Sequence, residues 1–525
     1  GKKELRAGIT LAVVSYLQQL PTRIIRAEMG MIIEKILSLL LTRSMKFFGS
    51  LQELLQAHLC TGHMLNDGLR DRLGEEGQKK MAETLIDVIS TDGYNEYVLI
   101  LALRQLSYLF LDLGQGAGPL WDKVELPLSK LLSHQSYSVR GVCAITARSL
   151  ATALPDFHSN LLRAYLNVTT MEFAQLVSCK PEEVKFHLGP LQGNAYAVAG
   201  LISIVPHSVL GVPNTITKYS LKKAKELTKI DPSCKFAAML VARAEAGWSM
   251  ISALMSLGPS FVERKLVDIL DMWDSCFHAL DKARPTTEKA VVVFSRLKSC
   301  ALEALCNFFR HNEPLLVSDI VERAVVWLKN ILDVLTKFPK LVNCQGSTTD
   351  IINVLKSNVV KSFASLPVSA YPNSYVPLMT WVIHELPRNA TTSLFRSLLQ
   401  EEDAILGPWL IGKELRDAKL VQSPAVVVHD HSVVWSSDPE KELTNPLPTS
   451  KRLVDEILDL FPKLYMVQSV DHQKTIILHL IRCVKESPPE LKNSLQTNVF
   501  CLLLKTLRVL NEKKQPFPKG KFLKP

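Results

Sequence analysis

Strand-like alternation of apolar and polar residues is scarce in this sequence, and aromatic residues fill only 7% of its 525 positions. A sandwich or barrel draws its core from alternating, aromatic-rich strands, so neither is expected. The one β-like run, 425–428, sits in an otherwise irregular stretch. None of the ten cysteines forms a CxxC pair, and most lie inside apolar helical patterns, where a free thiol acts as a small hydrophobe. That argues against a disulfide framework and for a reducing compartment. Uncharged apolar runs of bilayer length are missing too. The stretch 236–257 carries Arg243 and Glu245, and 195–205 is too short to span. No block of five like charges occurs, and 61 basic against 51 acidic residues leave a net charge of +10. On a chain this long that reads as a solvated, slightly basic surface. Acidic partners or anionic lipid come next, and no recognised nucleic-acid module is present.

Catalytic signatures are equally sparse. Neither GxSxG nor HExxH occurs, and the 13 histidines are scattered. Gly114-Gln115-Gly116-Ala117-Gly118 has the look of a phosphate loop. It follows a helix rather than a strand and lacks the lysine and hydroxyl residue of a P-loop, so a turn between helices is expected. His429-Asp430-His431 is the best metal-like cluster, but zinc needs a third and usually a fourth fixed ligand, and a polar loop explains the triplet. Glu401-Glu402-Asp403 reads as a solvated helix end. No catalytic, cofactor-binding or metal-ligating residue is assigned, and an enzyme is not expected. The chain opens Gly1-Lys2-Lys3, with no initiator methionine, signal or transit segment, which suggests a soluble, cytosolic piece of a longer protein.

What the sequence does have is apolar material, 47% against 21% charged, and helical periodicity nearly everywhere. At 525 residues it exceeds the ~250–300 at which one core stops growing, so it must be several domains or an extended array. Runs at 5–20 and 24–41, parted by Pro21-Thr22, have the spacing of an antiparallel helix pair. Others follow at 45–59, 78–89, 94–113, 121–132 and 138–154. Gly258-Pro259 separates a helix ending near 257 from one at 260–276. Later pairs are expected at 288–309 with 314–338, 351–366 with 377–385, and 453–461 with 473–484, then a last helix at 491–510. Residues 179–193, with Pro181 and Gly189-Pro190, read as a bent connection.

The clearest unit is LPLSKLLSHQSYSVRGVCAITARSLATAL at 126–154. Leu128, Leu131 and Leu132 share a face of its first helix. Val139, Val142, Cys143, Ala147, Leu150 and Leu154 follow at steps of three and four in its second. The small residues Ala144, Ala147 and Ala151 let paired helices approach, and Arg140 near the turn can reach polar groups of neighbouring units. One such pair cannot bury its apolar face alone and needs stacked neighbours. The expected fold is therefore all-α, an α-solenoid of antiparallel HEAT-type helix pairs in an ARM/HEAT superhelix. It would cover 1–403, with an irregular proline-containing loop at 404–448, further HEAT-type helices at 449–511 and a flexible basic tail at 512–525. Trp409 and Trp435 in the long loop are candidate partner-binding anchors, because tryptophan is enriched in binding hot spots.

The blocks GYNEYVLILALRQLSYLF, LPLSKLLSHQSYSVRGVCAITARSLATALP, RAEAGWSMISALMSLGPSFVERKLVDILDMW, NATTSLFRSLLQEEDAILGPWL and NPLPTSKRLVDEILDLFP occur in that order. Together they resemble the HEAT-repeat-containing protein 5 family, and GNAYAVAGLISIVPHSVLGVPNTITKY fits its region before the AGW block. The likeness covers nearly the whole chain, best from Tyr94 onward. The resemblance implies an internal or truncated portion of a large solenoid with a non-enzymatic role in membrane traffic. Its partners would be the clathrin adaptor complex and accessory proteins, in endosome-to-Golgi transport and protein localisation. It further implies a cytosolic protein held at endosomal and trans-Golgi vesicles through partners, with no cofactor and no nucleic acid. Nuclear transport receptors and phosphatase regulatory scaffolds share the architecture and form the alternative; the basic balance fits the acidic transport receptors poorly.

Overall fold

Helix α8, Tyr137–Ala153, shows how the sequence makes this fold. Every residue from Ser138 to Ala151 along it is buried, so it is enclosed on all sides rather than on one stripe. Ala144, Ala147 and Ala151 keep its girth small enough for neighbours to close around it. The computed structural model describes residues 2–40, 51–230, 237–282, 287–341, 347–367, 376–388 and 449–512. Among them the secondary structure is helical throughout, with no strand. By internal contacts the described residues divide into two units, those up to 272 and those from 273 onward.

In the first unit, the helices are α1 (Lys2–Gln19), α2 (Thr22–Ala27), α3 (Met29–Ser38), α4 (Leu51–Asn66), α5 (Glu75–Ser90), α6 (Glu96–Leu113) and α7 (Trp121–Leu131). After α8 come α9 (Pro155–Ser178), α10 (Val184–Ser203), α11 (Asn214–Thr228), α12 (Ala237–Met255) and the single turn α13 (Pro259–Val262). They form two layers. An inner row runs α1, α4, α6, α8, α10, α12, each packed on the next, while α3, α5, α7, α9 and α11 lie outside and cap the inner joints. Helix α14 (Leu266–Lys282) holds the division between the units. The second unit repeats the arrangement. Helices α15 (Glu288–His311), α17 (Ser347–Ser365), α19 (Thr449–Met466) and α21 (Pro489–Glu512) make its inner row. Helices α16 (Ser318–Leu341), α18 (Val376–Arg388) and α20 (Val470–Glu486) are their outer partners. The chain is an all-α, HEAT-type α-solenoid.

Glycine sets the closest joints. A Cβ at Gly193 in α10 would collide with the Leu132 carbonyl, and one at Gly247 in α12 would lie 2.7 Å from Thr228 Cγ2 and 2.9 Å from Leu227 Cβ. The glycine of the AGW block is thus what lets α11 lie against α12. Caps are local and readable. Asn95 accepts from the Val98 N–H at 3.0 Å, opening α6, and its amide donates to Leu40 O at 2.6 Å.

Three expectations need correction. The run 24–41 is two helices, because the backbone turns out of helical geometry at Glu28 (φ −101°, ψ 16°). The bend expected at 179–193 is confined to its first residues. Helix α10 begins at Val184 and carries Pro190 inside it. Gly193 serves packing rather than a turn, and Gly189-Pro190 lies within the helix, which is why the Gly-Pro signal misleads there. The helix expected at 260–276 is α13, a 3₁₀ turn at Glu263–Lys265, then α14. Two segments, 96–131 and 184–207, are apolar enough to cross a bilayer by length and composition. Their most apolar windows are 67% and 78% buried, and inner-row packing accounts for that apolarity.

Candidate functional site

Several buried polar side chains pair from one helix to the next. Arg140, 5% exposed, donates from Nη1 to His134 O and Gln135 O at 2.7 and 2.9 Å, closing the turn before α8. Its Nη2 donates to Gln192 Oε1 at 2.8 Å, and Gln192 Nε2 donates to Glu245 Oε2 at 2.6 Å. Glu245 is 2% exposed, so one glutamine relays a buried charge pair across α8, α10 and α12. Burial pulls the Arg140 guanidinium below its usual range, while Glu245 opposes that shift. Similar rungs join Ser107 to Thr146 at 2.9 Å and Asn358 to Ser299 O at 3.1 Å. In the second unit Trp273 donates to Ala301 O at 2.9 Å, and Lys356 meets the buried Glu385 at 2.7 Å. These groups tie helix to helix. Among the described residues no three histidines, cysteines or carboxylates converge as a metal-holding group.

An open cleft of about 270 Å³ lies in the first unit, where the connection after α10 meets the turn after α12. The chain leaves α10 through a 3₁₀ turn at Val205–His207, and Pro213 caps α11. His158 on α9 pins this connection: Nε2 lies 2.9 Å from Leu201 O and Nδ1 3.3 Å from Ser208 Oγ. On the other side, Gly258 at φ +85° makes a bend that a side chain would strain, and Pro259 starts α13. The half-buried Val205, Val212, Leu257 and Phe261 form apolar walls.

Three cations surround them, Lys218 on α11 with Arg264 and Lys265 from the turn, and none of the lining residues is acidic. Among the described residues Lys218 and Arg264 have no carboxylate partner. Lys265 Nζ sits 5.7 Å from the Phe261 ring centre. It also helps Lys225, the larger influence, hold the Asp268 carboxyl below its usual range. Thr217 Oγ1 donates to Asn214 O at 3.0 Å, so that hydroxyl is spent on the first turn of α11. The arrangement can bind an anion beside an apolar group; it positions no nucleophile against a base.

Sequence-derived candidates fall as follows. Trp409, Trp435, His429-Asp430-His431 and Glu401-Glu402-Asp403 lie outside the described residues. The glycine run at 114–118 is a 3₁₀ turn, Gly114–Leu120, joining α6 to α7. Arg140 reaches the neighbouring helix as its place near the turn suggests. The basic cleft was missed, because Lys218 and Arg264 come together only once two connections share an edge of the stack.

No protein-family model matches the chain. In an alignment of 523 positions that covers 97% of the chain, it is 24% identical to Protein SWEETIE of Arabidopsis thaliana. The chain spans 23% of that relative's length. Among solved structures, the crystal structure of Kap121p bound to Nup53p covers 97% of this chain and 52% of its own. The TM-score is 0.33 and the identity 12%.

Proposed function

We propose that the chain is a non-catalytic HEAT-type scaffold in membrane trafficking. It would associate with the clathrin adaptor complex and its accessory proteins and support endosome-to-Golgi transport and protein localisation. The observation that carries the scaffold reading is the fate of the buried polar groups. Arg140, Gln192 and Glu245 hold neighbouring helices together, and the cleft after α10 sets three cations around an apolar recess. Support for the trafficking role is the ordered set of sequence blocks that resemble the HEAT-repeat-containing protein 5 family. On this reading the protein is cytosolic and reaches endosomal and trans-Golgi vesicles through its partners.

The test is affinity capture from cytosol with the 525-residue chain as bait, at two salt concentrations, with quantitative identification of what co-purifies. Enrichment of clathrin-adaptor subunits and their accessory proteins is the expected result. Nuclear-pore proteins or a phosphatase catalytic subunit in their place would overturn the trafficking assignment and leave the scaffold standing.

A further inference from the structure

We propose that the cleft between the α10–α11 connection and the turn after α12 receives a short acidic segment of a partner protein. An apolar side chain would enter between Val205, Val212, Leu257 and Phe261 while carboxylates meet Lys218, Arg264 and Lys265. Such a segment is one kind of partner for the scaffold described above, and the inference rests on that reading.

Charge complementarity comes first. Three cations gather around walls that hold no acid, and among the described residues two of them have no carboxylate partner. Their mutual repulsion is relieved when an anionic occupant arrives, which also raises its rate of encounter. Size comes second. The cleft, about 270 Å³, falls just below the ~300–1,000 Å³ of small-molecule pockets and suits one or two side chains of a longer chain. Exposed apolar surface comes third. Val209 and Leu210, 89% and 62% exposed, stand in the same loop as Val205 and Val212 and can extend the contact along a peptide. A membrane surface fits less well, since headgroup attraction uses clusters of about four to eight lysines and arginines on an open face. Here three cations rim a recess.

The test uses the whole chain immobilised against a displayed library of random peptides of about twelve residues, long enough to cross such a groove. The expected peptides are rich in Asp and Glu around an apolar residue. Their affinity should fall about tenfold in Lys218→Glu/Arg264→Glu, and also as salt rises from about 50 to about 300 mM. Lys80→Glu, an exposed lysine on α5, serves as the control and should bind as the parent does. A thermal midpoint verifies folding, and Lys218→Gln/Arg264→Gln replaces the reversal if that variant melts early. Selected peptides without acidic enrichment, or acidic ones that bind the variant equally well, overturn the cleft while leaving the scaffold reading intact. Recovery of no peptide overturns it as well. Phosphatidylserine vesicles that bind the parent and not the double variant would overturn it in favour of a membrane occupant.

Discussion

At the scale of single residues, the relay Arg140–Gln192–Glu245 is the sharpest case. Removing the Arg140 guanidinium takes a buried donor from Gln192 Oε1 and from the His134 and Gln135 carbonyls, so Arg140→Met should cost roughly 3 kcal/mol of stability. Arg140→Met/Gln192→Leu/Glu245→Met should cost far less than the three single changes summed, because the three side chains share their hydrogen bonds and are lost together. Urea unfolding of the four variants decides it; additive losses would mean the three act independently. Histidines add a pH dependence. Burial, with Arg104 beside it, holds His58 down to about 3, and burial also lowers His158 and His134 from the usual 6.5. Their folded forms stay neutral where the unfolded chain takes up protons. This contribution is therefore fully present above about pH 6.5 and is lost as the pH falls toward the lowered values. The thermal midpoint should hold above pH 7 and decline toward pH 5. His158→Gln and His58→Gln should each shallow that decline, and an unchanged slope in both would refute the assignment.

Between helices, what matters is how near two backbones come. Gly193→Ala drives a methyl into the Leu132 carbonyl and should be among the most damaging single changes in the first unit. Gly247→Ala meets Thr228 Cγ2, Leu227 Cβ and, at 3.0 Å, the Ala224 carbonyl, so α11 must shift and the change should cost about 1–3 kcal/mol. Gly141→Ala, with open space around the added carbon inside α8, should instead stabilise by about 0.5–1 kcal/mol. Melting the three variants separates packing from chain entropy, and equal effects would contradict it. The same positions show what a sequence reader can see. The helix pair at 126–154 was legible because its leucines and alanines keep helical spacing, and Gly258-Pro259 because it breaks a helix at that dipeptide. Gly189-Pro190 and Gly193 carry the same letters with the opposite meaning. Whether a glycine bends its own helix or admits a neighbour depends on a residue some 60 positions back, which no local window contains. The cleft was hidden for the same reason, with Lys218 and Arg264 on separate connections.

For the molecule as a whole, each inner helix answers mainly to the one before and the one after, so damage should stay local. Glu385→Ala removes the carboxylate shared by Lys356 at 2.7 Å and Arg388 at 3.6 Å. Hydrogen exchange should quicken in α17, α18 and α19 and stay unchanged in α6 and α8; a uniform rise across the chain would contradict the repeat picture. The spacing of the rungs also sets an order of assembly during synthesis. Thr146 needs Ser107, 39 residues earlier, Gln192 needs Arg140 at 52, and Glu245 needs Gln192 at 53. Each inner helix thus finds its predecessor already made, and the growing chain can settle repeat by repeat without waiting for its end. One joint breaks that rhythm. Lys463 donates to Ala364 O across 99 residues, so this contact between α17 and α19 closes only once α19 is translated. The interval before that is when a nascent chain most needs a chaperone to shield it.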